Sequence, residues 1–194
     1  MDDKYKQQLI DFLKEISAAS DEFINSLLWA VNQKKVKKGT VINASGTVDI
    51  SSRFLCVGII GLYQEKDGGA SLEHLFGASD IVREFHSYYT REPSPYFLLA
   101  MSDAVFLQID RGQEGIQIRR SPELLQVDNG LYQYILQRRT KLNAIRVAGL
   151  EKGVEQLKDF LPGAYPLLKL KDLTSFFNCS ISTVSRWKRD TKDK

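Results

Sequence analysis

Apolar residues at Leu9, Phe12, Leu13 and Ile16 fall at i, i+3, i+4 and i+7, predicting an amphipathic helix over about residues 3–17. A second helix starts at a Ser20 cap and turns Phe23, Ile24, Leu27, Leu28 and Val31 inward. From Lys34 to Ile109 the pattern changes to short β-prone runs divided by turn residues, among them Val36, Val41-Ile42 and Ala44-Ser45-Gly46. The longest run, Phe54–Tyr63, is too apolar for a sheet edge, and Gly58 and Gly61 within it predict bends or bulges in a curved sheet. Asp67-Gly68-Gly69 predicts a hairpin leading to Ser71–Phe76, and Tyr96–Met101 and Ala104–Ile109 flank a tight turn at Ser102-Asp103. Many short strands with evenly spaced turns imply a small antiparallel barrel or jelly roll.

Inside that β region Gly77–Pro95 is long, aromatic and charged. Long loops in compact barrels line ligand sites, so Arg83, Tyr89, Arg91, Glu92 and Ser94 are the candidate effector pocket. A second reading stays open: Ile81, Val82, Phe85 and Tyr89 have helical spacing and plug the barrel. After Ile109 the pattern is helical again. Ser121-Pro122-Glu123 opens a helix or turn, and Asp128 or Asn129 caps a longer helix. Along it Leu131, Ile135, Arg138, Leu142 and Ile145 alternate fours and threes, a heptad seam that either joins two copies or packs on its own barrel. A further seam, Leu150, Val154, Leu157 and Leu161, runs to a stop at Leu161-Pro162-Gly163.

The stretch Leu170–Arg189 carries the most specific pattern. Two short helices meet at a four-residue joint, Asn178-Cys179-Ser180-Ile181, and so short a joint makes them cross steeply. Leu170, Leu173 and Phe177 share a face, Asn178 suits a left-handed turn, Ser180 caps the next helix, and Val184 and Trp187 point inward. Ser182, Ser185, Arg186 and Arg189 then form one outward stripe of short hydroxyls and guanidiniums. A DNA major groove accepts such a stripe: arginine meets guanine O6 and N7 with two parallel bonds, and the helix N-terminus favours a phosphate.

Net charge is only +3, but from Ile181 to Lys194 there are five basic residues (Arg186, Lys188, Arg189, Lys192, Lys194) against Asp190 and Asp193. Cys56 and Cys179 are too few for a disulfide framework, a zinc site or an iron–sulfur cluster, and reduced thiols are expected. His74 and His86 alone do not furnish the metal site of a cupin-like enzyme, so neither a metal nor catalysis is expected, and no cofactor. The start, MDDKYKQQL, lacks a signal pattern and eighteen apolar residues never run together, so the expectation is a cytoplasmic protein without membrane contact.

The order of parts, two short helices, a β-roll, a long helix and a helix-turn-helix, resembles the Crp/Fnr superfamily of bacterial transcription regulators. The resemblance spans nearly the whole chain and is most specific at Asn178–Arg186 (NCSISTVSR), similar to the family's turn and recognition helix. KKGTVINASG, FLCVGIIGLYQ and LAMSDAVFLQID match its glycine-punctuated strands more loosely. It implies an α+β fold: an antiparallel, cyclic-nucleotide-binding-like jelly-roll sensor domain with leading helices (1–128), a long dimerisation helix (129–148) and a helix-turn-helix DNA-binding domain (149–194). It also implies that Ile181, Ser182 and Arg186 face base edges and that Ser180 and Thr183 meet phosphates, with Ser185, Lys188 and Arg189 completing the DNA-binding set. Ile181 and Ser182 depart from the family's arginine and glutamate, so a different DNA sequence is expected. Thr174 replaces the usual alanine, and its hydroxyl can bond back to its own helix.

Cyclic-nucleotide binders of the family carry a Gly-Glu pair and, later, an arginine before serine or threonine. Here Gly77-Ala78 and Glu92-Pro93-Ser94-Pro95 stand instead, so an effector other than cyclic AMP or GMP is expected. The chain ends soon after Arg189, where many relatives add a β wing, so the expectation is either fewer contacts to the flanking backbone or their supply by Lys188, Lys192 and Lys194 as a basic tail. The implied partners are double-stranded DNA, a second copy of the chain and RNA polymerase. The competing expectation is a ligand-binding or protein-interaction module whose helix-turn-helix is degenerate and reads no DNA.

Overall fold

A computed structural model describes residues 1–66, 69–113 and 121–192, with the side chain of Lys192 excepted. The Asp67-Gly68 part of the expected hairpin turn, the Lys192 side chain and Asp193 and Lys194 of the basic tail therefore lie outside the described residues. Two helices lead, α1 (Asp3–Ile16) and α2 (Asp21–Leu28). Ser20 caps α2 as expected, accepting from the Phe23 N–H at 3.2 Å. Eight strands follow: β1 (Asn32–Val36), β2 (Val41–Asn43), β3 (Ser51–Val57), β4 (Ile60–Lys66), β5 (Gly69–Phe76), β6 (Ile81–Val82), β7 (Tyr96–Ala100) and β8 (Ala104–Asp110). A short helix α3 (Phe85–Thr90) separates β6 from β7. Beyond the β region come α4 (Glu123–Val147), α5 (Leu150–Phe160), a 3-10 turn at Tyr165–Leu167, α6 (Leu170–Phe176) and α7 (Ile181–Lys192).

The strands form two antiparallel four-stranded sheets, β1-β8-β3-β6 and β2-β7-β4-β5, which is the expected roll. One expectation is corrected. Phe54–Tyr63 is two strands, each in a different sheet, because Gly58 turns the chain at φ +105° and a Cβ there would sit 2.6 Å from the Asp103 carbonyl oxygen. Opposite Leu62 and Tyr63 the partner strand carries one extra residue, Glu73, a bulge that turns Leu72 and Leu75 to one face.

Alternation along the strands sorts the interior into three cores. Leu55, Ile60, Val82, Leu98 and Phe106 fill the roll between the sheets. Phe54, Cys56 and Leu107, on the outer face of the β1-β8-β3-β6 sheet, pack under α1, α2 and the first half of α4 through Phe12, Leu27 and Val127. Tyr63, Leu72 and Leu75, on the outer face of the other sheet, share a core with Val154, Leu157, Leu173, Phe176 and Val184 from α5, α6 and α7. The C-terminal helices are thus built onto the roll. Arg146 of α4 ties them further, donating to the Glu73 carbonyl and to the Phe176 carbonyl, each at 3.0 Å.

Helix α4 corrects two further readings. It begins at Glu123, whose carboxylate accepts from the Ser20 N–H and hydroxyl at 3.0 and 2.9 Å, so Asp128 and Asn129 are interior residues rather than caps. The expected dimer seam is used by the protomer itself. Ile135, Leu142 and Ile145 are buried in its own cores, Leu131 is half-buried against the N-terminal helices, and Arg138 grips Asp80 through Nε and Nη2 at 2.6 and 2.9 Å. What α4 leaves exposed is another set: Leu125, Tyr132, Leu136 and Val147.

Candidate nucleic-acid interface and effector cavities

The joint between α6 and α7 is set by local chemistry. Asn178 adopts φ +48°, the Cys179 N–H reaches the Thr174 carbonyl at 3.1 Å, and the Asn178 N–H reaches that of Ser175 at 3.4 Å. Together these make a Schellman stop. Ser180 restarts the helix by accepting from the Thr183 N–H at 3.1 Å, and its hydroxyl also bonds those of Ser182 and Thr183 at 2.7 and 2.8 Å. Leu173, Phe176, Phe177 and Val184 are buried beneath, and Trp187 is half-buried edge-on to Tyr165 at 6.3 Å. Thr174 bonds back to the Leu170 carbonyl at 2.8 Å, without breaking the helix. The joint leaves Ser180, Ile181, Ser182, Ser185, Arg186 and Arg189 exposed along α7, with Thr183 and Lys188 half-buried beside them. Arg189 lies 3.6 Å from Asp190, whereas Arg186 has no ion-pair partner among the described residues.

The Gly77–Pro95 stretch folds as β6 and α3 rather than as a barrel plug: Ile81 and Val82 are strand residues and Tyr89 is 54% exposed. Glu84 caps α3, accepting from the His86 and Ser87 N–H groups at 3.1 and 2.7 Å. Asp49 anchors its start, accepting from the Glu84 N–H at 2.8 Å while held by Arg53 through two bonds of 3.0 and 3.1 Å. Of the five expected pocket residues the structure gathers three, Arg83, Tyr89 and Arg91, around one cavity. Glu92 instead projects into solvent near His86, and Ser94 is buried in its own turn, accepting from the Tyr96 N–H.

Two cavities flank this segment. The larger, about 670 Å³, lies between the roll and α4 and is lined by His74, Asp80, Arg83, Arg138, Arg139 and Arg146 among others. Burial and the three α4 guanidiniums push the His74 imidazole down to about 3. His74 is not legible as a pocket residue in the sequence because the α4 arginines that close the cavity around it lie over sixty residues away. The smaller cavity, about 370 Å³, lies beneath α1 and α2 and is mostly apolar. Cys56 is buried and its thiol is pushed up to about 12, so it stays protonated.

No family model and no curated protein sequence matches this chain. Solved structures do. CLP, named as the c-di-GMP-responsive global regulator of Xanthomonas campestris, superposes with a TM-score of 0.65 at 14% identity, over 90% of this chain and 92% of that one. A cyclic nucleotide-binding domain from Methylobacillus flagellatus gives 0.62 at 15% identity, over 86% of each chain. The Thermus thermophilus catabolite activator protein gives 0.53 at 20% identity, over 91% and 85%. This chain has a Crp/Fnr-like fold. The superposition with CLP and with the catabolite activator protein covers about nine-tenths of this chain, so it takes in the helical part as well as the roll. Among the described residues no helix is long and apolar enough to cross a membrane.

Proposed function

We propose that this chain is a dimeric, sequence-specific DNA-binding transcription regulator in which the β-roll is the sensor and α7 the reading helix. The observation that carries the reading is the outward stripe of α7: Ser182, Ser185, Arg186 and Arg189 are exposed on a helix whose other side is sunk in the core through Val184. Arg186 supplies base-edge readout, and Ser180, Thr183, Lys188 and Arg189 meet the phosphates on either side. Dimerisation belongs to the exposed face of α4, where Leu125, Tyr132 and Leu136 recur at intervals of seven and four, Val147 follows eleven on along the same face, and no described element covers them. Two reading helices about one DNA turn apart then require a palindromic operator. The effector is a molecule other than a cyclic nucleotide, since Pro93 stands ahead of Ser94 where an arginine would meet the cyclic phosphate.

The test is fluorescence anisotropy with labelled DNA from upstream of the chain's own coding sequence against a shuffled duplex of equal composition. The wild type should prefer the upstream duplex and weaken steeply with salt, and Arg186→Ala should lose the preference, about 1–3 kcal/mol, while keeping weak salt-dependent binding. Equal binding of both duplexes by both proteins refutes the readout. A second reading, a ligand-binding or interaction module with a degenerate helix-turn-helix, draws on Ile181, an apolar side chain 59% exposed at the head of α7. It predicts no DNA affinity even at low salt.

A further inference from the structure

Arg83 is the most awkward charge in the molecule. Its side chain is buried, 4% of the residue being exposed, and Nη2 donates to the Ser52 hydroxyl at 2.8 Å and Nη1 to the Tyr89 hydroxyl at 3.4 Å. The guanidinium lies over the Tyr88 ring at 4.4 Å, and its Nε is buried without an acceptor. No carboxylate comes within ion-pair distance of it among the described residues, in contrast to Arg53, which Asp49 holds with two oxygens. A buried cation with neutral partners alone is unfavourable by several kcal/mol unless an anion joins it.

The geometry supplies a place for that anion. Ser52 and Tyr89, the two hydrogen-bond partners of Arg83, both line the cavity of about 370 Å³ under α1 and α2, and so do Arg91 and Arg111. Arg91 is exposed at the end of α3, and Arg111 is held by the Tyr88 carbonyl and ring. Asp128 is the one carboxylate among the described lining residues, so three guanidiniums face a single acid. The remainder of the wall is apolar, formed chiefly by Phe12, Leu13, Phe54, Leu107, Val127 and Leu131. A greasy chamber with a cationic end, at the small end of ligand-pocket sizes, fits a molecule of matching polarity.

We infer that this cavity binds a small amphipathic carboxylate, its acid group on Arg83 and Arg91 and its hydrocarbon body between the N-terminal helices and the β1-β8-β3-β6 sheet. The guanidinium of Arg83, whose Nε has no acceptor among the described residues, suits a carboxylate, and the apolar wall contributes affinity through removal of hydrocarbon from water. Arg83 and Ile81 also border the larger cavity, but the apolar wall of Phe12, Leu107 and Val127 belongs to the smaller one, and the site is independent of whether α7 reads DNA.

The experiment is calorimetric titration of the full chain, without DNA, with decanoate, decan-1-ol, decyltrimethylammonium and acetate, all below micellar concentration. Decanoate should bind one per chain at least tenfold more tightly than the alcohol, with the cation and acetate silent. Arg91→Glu, an exposed change that leaves the core intact, should weaken decanoate at least tenfold, and Arg83→Met, if it folds by circular dichroism, should abolish the preference over the alcohol. Equal binding of decanoate and decyltrimethylammonium, decanoate affinity unchanged in Arg91→Glu, or no decanoate binding to the folded wild type would each overturn the assignment. Because no DNA is present, none of these outcomes touches the regulator reading.

Discussion

Phe176→Ala tests whether the roll and the α6–α7 pair are one thermodynamic unit. Phe176 is fully buried, stands edge-on to Phe177 at 5.0 Å and carries Arg146 over its face at 5.3 Å. Truncating a buried Phe costs about 3–5 kcal/mol, and the ring pair and the cation contribute part of that figure rather than adding to it. Taking about 4 kcal/mol, the unfolding equilibrium shifts by roughly three decades, and with a urea slope of about 2 kcal/mol/M the midpoint falls by about 2 M. Two probes separate the parts. Trp187 reports the α6–α7 region, because Trp29 is 91% exposed and changes little on unfolding, while far-ultraviolet circular dichroism reports the whole chain, strands included. Since Phe176 shares its core with Leu72 and Leu75 of β5, both transitions should fall together. If the tryptophan transition moves and the remainder of the dichroism signal keeps its midpoint, the shared core does not couple the parts and the reasoning fails.

Protonation of His74 should destabilise the chain in acid. Its folded value, about 3, lies below the ordinary 6.5, so between those pH values the unfolded chain binds a proton the folded one refuses, and stability falls as pH drops by up to about 1.4 kcal/mol per unit. Urea midpoints measured from pH 7 to 4.5 should show a shallower slope in His74→Gln than in the wild type, and parallel slopes would refute the assignment. Leu136→Glu with Tyr132→Glu should turn a dimer into a folded monomer in sedimentation velocity. Unchanged mass would place the interface elsewhere.

How much of this was legible in the sequence follows the range of each signal. The Asn178 turn, the Ser180 cap and the α7 stripe lie within twelve residues, Asn178 to Arg189, and local preference sets them. Likewise Arg83, Tyr89 and Arg91 come together because they lie on the short helix α3 and its two flanks. The direction of α4 was not legible. It carries apolar residues on two faces, Leu131 to Ile145 and Leu125 to Val147, and periodicity distinguishes a face without telling a partner from the chain's own core. Arg138 within the supposed seam marked the problem, but its partner Asp80 is 58 residues away. Gly58 was read as a bend, whereas its close approach to Asp103, set by the turn before β8, makes it the point where the chain changes sheet. The arginine-lined end of the smaller cavity needed Ser52 and Arg111, which adjoin only after β3 pairs with β8.

The strand β5 lies at the margin of its sheet, and there the Leu72 N–H donates to the Ser175 hydroxyl of α6 at 3.0 Å while Leu72 and Leu75 lie under the same helical layer. The α6–α7 pair thus doubles as a lid on a sticky border: severed from it, the roll would bare both an unpaired strand margin and a greasy sheet face, an invitation to self-association. Substitution along α7 is accordingly free only on its outer side, since every change on its inner side is also a change to the core it shares with the roll.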